Sequence, residues 1–149
     1  MESFPPYWRP FLEGSWYRFV GDPSNPDDRK DMWARSPLSR VDSIRTPLLI
    51  VQGANDPRVT KRESDQLAIA LHNRGVAVQY LVAGNEGHGF ANSDNRLVLY
   101  HTMDQFFARY LGGRSQTPVP ANVESRARTM TVQPDTLKLA AQADQKSSP

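Results

Sequence analysis

Two periods of hydrophobic and polar positions alternate along this chain, and each change of period marks an element. Thr46–Gly53, TPLLIVQG, has an early proline, four consecutive aliphatic residues and a glycine at its end. An apolar run of this kind suits a strand buried on both faces of a parallel sheet. Beyond the loop ANDPRV, Thr60 and Glu63 spell T-x-x-E, the pattern of a capping box. The helix starting there continues to about Arg74, with Leu67, Ala70 and Leu71 facing inward and Gly75 as its left-handed stop. Val76–Val82, VAVQYLV, predicts a second strand. The loop AGNEGHGF then leads into a helix from about Ser93 to Leu111, closed by Gly112 and Gly113. On it Leu99, Met103, Phe106 and Tyr110 recur at spacings of 4, 3 and 4 and share a face. Strand, helix, strand, helix predicts a right-handed βαβ unit extended by a closing helix, in the α/β class.

The flanking segments are less regular. Residues 1–45 hold all three tryptophans, Trp8, Trp16 and Trp33, among closely set prolines. Only short helices fit between those prolines, around 10–19 and 27–34, the second capped by Asp27 or Asp28. The aromatic stretches PPYWRPF and SWYRFVG read first as packing over a sheet edge and second as the lining of an apolar pocket. Residues 112–149 show no sustained periodicity. The expected division is a folded unit over 1–113 and a C-terminal extension over 114–149, the last ten residues disordered.

Composition narrows the possible functions. A chain of 149 residues suits one ordinary domain. Its longest aliphatic run, Leu48–Val51, is far short of the ~20 residues of a membrane-spanning helix, so no membrane partner is expected. The start, MESFPPYWRPF, has no basic stretch leading into an apolar one and does not read as a signal peptide. Absence of cysteine excludes disulfides, thiolate zinc sites and a cysteine nucleophile, and leaves the compartment open. Net charge is +2, and residues 1–111 balance thirteen basic against thirteen acidic side chains. No basic stripe interleaved with aromatics occurs, so nucleic acid is not an expected partner. No H-x-x-x-H or comparable spacing suggests a metal, and no cofactor is expected.

The chemistry gathers in two loops. In open parallel sheets, ligands bind outside the carboxyl ends of the strands. Asp56 lies three residues past the first strand, in GANDPRV, and His88 six residues past the second, in GNEGHGF. A carboxylate beside a histidine can accept a hydrogen bond from its Nδ1 proton, fix the tautomer and stabilise the imidazolium formed when Nε2 takes a proton. Gly87 and Gly89 would give the backbone around His88 unusual freedom and let a substrate approach. Glu86 reads as a hydrogen-bonding residue of the same loop. His72 and His101 fall within helices and read as surface or packing residues.

On these residues the sequence resembles the C-terminal part of the prolyl oligopeptidase family of serine peptidases, in its acylaminoacyl- and dipeptidyl-peptidase-like branch. The resemblance is carried by SPL (Ser36–Leu38), IRTPLLIVQGANDPRV (Ile44–Val59), RGVAVQYLV (Arg74–Val82), EGHGF (Glu86–Phe90) and FFARYLGG (Phe106–Gly113). It covers roughly 20–113 and implies the C-terminal portion of an α/β-hydrolase fold. It also implies a peptide substrate, with Asp56 and His88 as the acid and base of a Ser-Asp-His triad. One departure matters. In that fold the nucleophile sits in G-x-S-x-G, earlier in the chain than the Asp and His, and no G-x-S-x-G occurs here. GRSQT, residues 113–117, follows His88 and lacks the second glycine. Ser3, Ser15 and Ser24 precede Asp56 without the strand-to-helix setting. The expectation is therefore a fragment without the nucleophile strand, the oxyanion hole and the family's β-propeller. Such a chain would be inactive alone and prone to association through unpaired strand edges. An esterase of the same fold, or a non-catalytic pseudoenzyme chain, stands as the alternative.

Overall fold

The computed structural model describes residues 6–139. The aliphatic run becomes strand β1, Leu48–Gly53, and VQYLVA becomes β2, Val78–Ala83. They pair in parallel, from Leu48 opposite Val78 to Gly53 opposite Ala83. Alternation along β2 sends Tyr80 to one face of the sheet and Leu81 to the other, and both are fully buried. On one face Tyr80 and Ile50 meet Ala68 and Leu71 of helix α2, Lys61–Asn73. Across the sheet, Leu81 and Ala83 meet Val98 of helix α3, Ser93–Leu111. Burying each of the larger apolar side chains contributes roughly 1.5–3 kcal/mol. The two-faced burial expected of these strands is present.

Local chemistry sets the ends of the helices, in two cases differently from expectation. At the C-terminus of α2 the Gly75 N–H donates to the His72 carbonyl at 2.9 Å and the Val76 N–H to that of Leu71 at 3.1 Å. This is a Schellman closure, with Gly75 at φ +74° as the expected left-handed stop. At the N-terminus the capping box does not form: the Thr60 side chain makes no cap hydrogen bond. Gln52 anchors that entry instead, its Nε2 donating to the Val59 carbonyl at 3.0 Å. Helix α1 spans Pro26–Arg35, and its cap is Asn25 rather than Asp27 or Asp28. Pro26 takes the first helical position, which moves the cap back to the preceding residue. The Asn25 side chain accepts from the Asp27 and Asp28 N–H groups at 2.9 and 3.3 Å. Short helical turns (Pro6–Trp8, Arg9–Phe11, Leu12–Trp16 and Tyr17–Phe19) fill the first aromatic zone.

The buried line of α3 is also rotated from the expected one. Asn95, Val98, Thr102 and Phe106 are buried, while Leu99, Met103 and Tyr110 are only partly covered. Leu97, Tyr100, Phe107 and Leu111 are exposed. A helix apolar on more than one side cannot be phased from hydrophobicity alone, and here two polar residues lie on its buried line.

Beyond Gly113 the chain forms helix α4, Ala121–Met130, and a short strand β3, Thr131–Val132, which the lack of periodicity did not predict. β3 pairs antiparallel with β2, Tyr80 opposite Val132 and Leu81 opposite Thr131. Val123 and Met130 complete the cluster around Leu81. Among the described residues the sheet order is β1-β2-β3, so β2 is central and β1 keeps one open edge. The ten final residues, expected to be disordered, lie outside the described residues.

Candidate active site

Both chemically interesting loops leave the carboxyl ends of parallel strands, and backbone contacts stitch them together. The Ala54 N–H donates to the Ala83 carbonyl and the Asn55 N–H to the Glu86 carbonyl, each at 2.9 Å. Asn55 adds a side-chain bond from Nδ2 to the Gly84 carbonyl, also 2.9 Å. The approach is close enough to demand glycine at the end of β1. A Cβ on residue 53 would lie 2.1 Å from the Gly87 carbonyl oxygen and 2.8 Å from that of Glu86. Gly53 is thus the point where the two loops touch, as well as the stop of a strand.

Asp56 is held on every side by this framework. Its Oδ1 accepts the N–H groups of Arg58 at 2.8 Å and Val59 at 3.0 Å. Its Oδ2 lies 2.8 Å from Nδ1 of His88. Desolvation works to raise the Asp56 pKa, but the Val59 and Arg58 amides and then His88 outweigh it and hold the carboxyl below its ordinary value. From behind, buried Gln52 fixes the loop through its bonds to the Gly53 and Val59 carbonyls at 2.9 and 3.0 Å. Ser64 of α2 in turn donates to Gln52 Oε1 at 2.6 Å.

His88 sits at the tip of a tight turn closed by the Gly89 N–H donating to the Gly87 carbonyl at 2.9 Å. Of the two flanking glycines, Gly89 has a left-handed φ of +126°, which favours glycine. Gly87 has no positive φ, and a Cβ there would meet only ordinary contact. Exposure divides the pair sharply: the Asp56 side chain is 8% exposed and that of His88 48%. The imidazole is therefore oriented from the inside at Nδ1, and Nε2 makes no hydrogen bond to another described residue.

Glu86 organises the loop beneath. It is buried, and its Oε2 accepts the Ala91 N–H at 3.0 Å. Its Oε1 accepts the Asn92 N–H at 2.9 Å and Asn95 Nδ2 at 2.8 Å. These bonds, that from Asn95 foremost, hold its carboxyl below the ordinary glutamate value against the opposing effect of burial. The hydrogen-bonding role expected of Glu86 is therefore present. Gln52, Asn55 and Asn95 are supporting residues that the sequence did not single out. Only Gln52 carried a signal, a glutamine directly after the apolar run Leu48–Val51.

The other candidates fall elsewhere. The Ser15 hydroxyl donates to the Phe11 carbonyl and that of Ser24 to Asp22 Oδ1, and neither bonds to His88. Ser3 lies outside the described residues. His72 is exposed on α2 and His101 partly buried on α3. The aromatic N-terminal zone reaches the aspartate loop, with the Arg58 guanidinium 5.4 Å from the centre of the Trp8 ring. Among the described residues no three His, Cys, Asp or Glu side chains converge as metal ligands. No helix there is long and apolar enough to cross a membrane.

Known proteins share this arrangement of elements. The chain is 43% identical over 116 residues to dipeptidyl aminopeptidase BIII of Pseudoxanthomonas mexicana, covering 78% of this chain and 17% of that enzyme. It is 35% identical over 127 residues to dipeptidyl peptidase family member 6 of Caenorhabditis elegans, covering 85% and 17%. The crystal structure of puromycin hydrolase superposes with a TM-score of 0.64 at 24% identity, covering 79% of this chain and 17% of that one. The chain thus spans about a sixth of the length of these relatives. Residues 8–114 match the profile of the prolyl oligopeptidase family, and with these relatives that match places the chain in this family.

Proposed function

We propose that Asp56 and His88 are the acid and base of a serine-peptidase site whose nucleophile lies outside residues 1–149. The observation that carries this is the 2.8 Å contact between a locked, shielded carboxylate and Nδ1 of an imidazole whose other edge is exposed. In the proposed reaction Asp56 accepts a hydrogen bond from Nδ1–H, staying ionised, and so leaves Nε2 unprotonated. Nε2 removes the proton of the attacking serine hydroxyl and later delivers it to the departing amine. The Asp56 carboxylate stabilises the imidazolium between those steps. Its lowered pKa favours this role, because it stays ionised wherever the imidazole is a useful base.

The substrate class is part of the same proposal. Two relatives are named as dipeptidyl peptidases, which favours hydrolysis of peptide amides. An esterase on this fold would use the same pair, since the fold does not fix the substrate.

A chimera tests the assignment: the matched stretch of the Pseudoxanthomonas enzyme is replaced by this chain's own residues. The chimera is expected to hydrolyse a dipeptidyl amide substrate, and His88→Ala to lower kcat by roughly 10⁴-fold or more. A folded chimera whose His88→Ala form works at the unsubstituted rate would overturn the assignment. Turnover of an ester without turnover of the matching amide would move it to the esterase reading.

A further inference from the structure

Asn95 is almost fully buried in the first turn of α3, and all its polar capacity points to charged or loop groups. Nδ2 donates to Glu86 Oε1 and to Asn85 Oδ1, both at 2.8 Å, so both amide hydrogens go to the histidine loop. On the other side Oδ1 accepts from Arg126 Nη1 of α4 at 3.2 Å. The same guanidinium reaches Asp94 Oδ2 at 3.3 Å through Nη2. A guanidinium on one side and a carboxylate on the other fix which way the amide lies, because the flipped amide would set an oxygen against Glu86. They also polarise it, so the cation strengthens the bond that holds the Glu86 carboxylate. Glu86 in turn holds the Ala91 and Asn92 amides on the far side of His88.

We propose that Arg126 is a positioning residue for His88, acting through the Asn95 amide and the Glu86 carboxylate. The proposal rests on the reading of His88 as the base. It gives the segment after Gly113 a part in the site: α4 delivers a cation to the support of the histidine loop. Arg128, on the same helix, is paired with Glu124 at 3.2 Å on the surface and has no such part.

The test uses residues 1–149 and the variants Arg126→Met and Arg128→Met, with amide exchange and the His88 ring ¹⁵N shifts as readouts. Arg126→Met is expected to speed exchange at Ala91 and Asn92 roughly tenfold and to shift the ring signals. Protection at Val98 and Thr102 should stay unchanged, and Arg128→Met should change neither readout. A folded Arg126→Met variant with unchanged exchange and ring shifts would overturn the proposal. A Glu86→Gln background separates this route from simple loosening of α4. Arg126→Met should then add little, whereas a full tenfold effect there would also overturn the proposal. If the unsubstituted chain shows no Nδ1-protonated His88, the Asp56–His88 reading fails, and exchange at Ala91 and Asn92 still decides whether Arg126 holds the loop.

Discussion

Two buried-side carboxylates divide the work at the site: Asp56 faces the imidazole and Glu86 holds the backbone that carries it. Both have lowered pKa values, which fixes the sign of their pH dependence. The stability they contribute is present in full above the ordinary carboxylate range, about pH 4. It is lost as the pH falls through their lower native values. Glu86→Gln is therefore expected to cost about 1–3 kcal/mol at pH 7, because a neutral amide cannot accept all three donors. It should also flatten the fall of stability below about pH 4, relative to the unsubstituted chain. Urea unfolding at a series of pH values measures both effects; an equally steep acid limb in Glu86→Gln would show that Glu86 is not linked in this way. At this scale the sequence was legible where a residue type was out of place. His88 between two glycines and Asp56 beyond a strand both stood out. Asn95 and Gln52 did not, because their value arises only when three or more segments meet around them.

Element boundaries followed from capping chemistry more than from hydrophobic pattern. Asn92 is a working cap: its side chain accepts the Asp94 N–H at 2.9 Å and that of Asn95 at 3.4 Å. It also ends the loop that Glu86 holds. Thr60, part of the sequence's T-x-x-E pattern, makes no such bond. Asn92→Ala is thus expected to cost about 1 kcal/mol and Thr60→Ala less than half of that, by thermal or chemical unfolding. Equal losses would mean that the box forms in solution. The two parallel strands and the helix between them were readable because a continuous apolar run, a Schellman glycine and a second apolar run each allow few alternatives. The face of α3 was not, since polar Asn95 and Thr102 lie on its buried line and apolar Leu97 and Tyr100 lie outside it. The pair α4 and β3 escaped notice because they are short and polar, and become ordered against β2 by only a few apolar anchors such as Val123 and Met130.

For the whole molecule, membership in the prolyl oligopeptidase family sits beside a sequence with no G-x-S-x-G. In that fold the oxyanion donors come from the residue after the nucleophile and from an earlier loop. On the proposed reading, Asp56 and His88 alone would offer only general-base assistance, which contributes ~10²–10⁴-fold. Residues 1–149 are therefore expected to give no detectable peptide hydrolysis and no labelling by a fluorophosphonate probe. Labelling of one serine in stoichiometric yield, abolished by His88→Ala, would place a nucleophile within this chain. The pairing of His88 with Asp56 is most directly tested on the ring itself, by ¹⁵N shifts of His88 at a pH where the imidazole is neutral. The expected result is a proton on Nδ1 and a bare Nε2, with that preference lost in Asp56→Ala. A ring protonated at Nε2, or one indifferent to Asp56→Ala, would contradict the proposed acid–base pair.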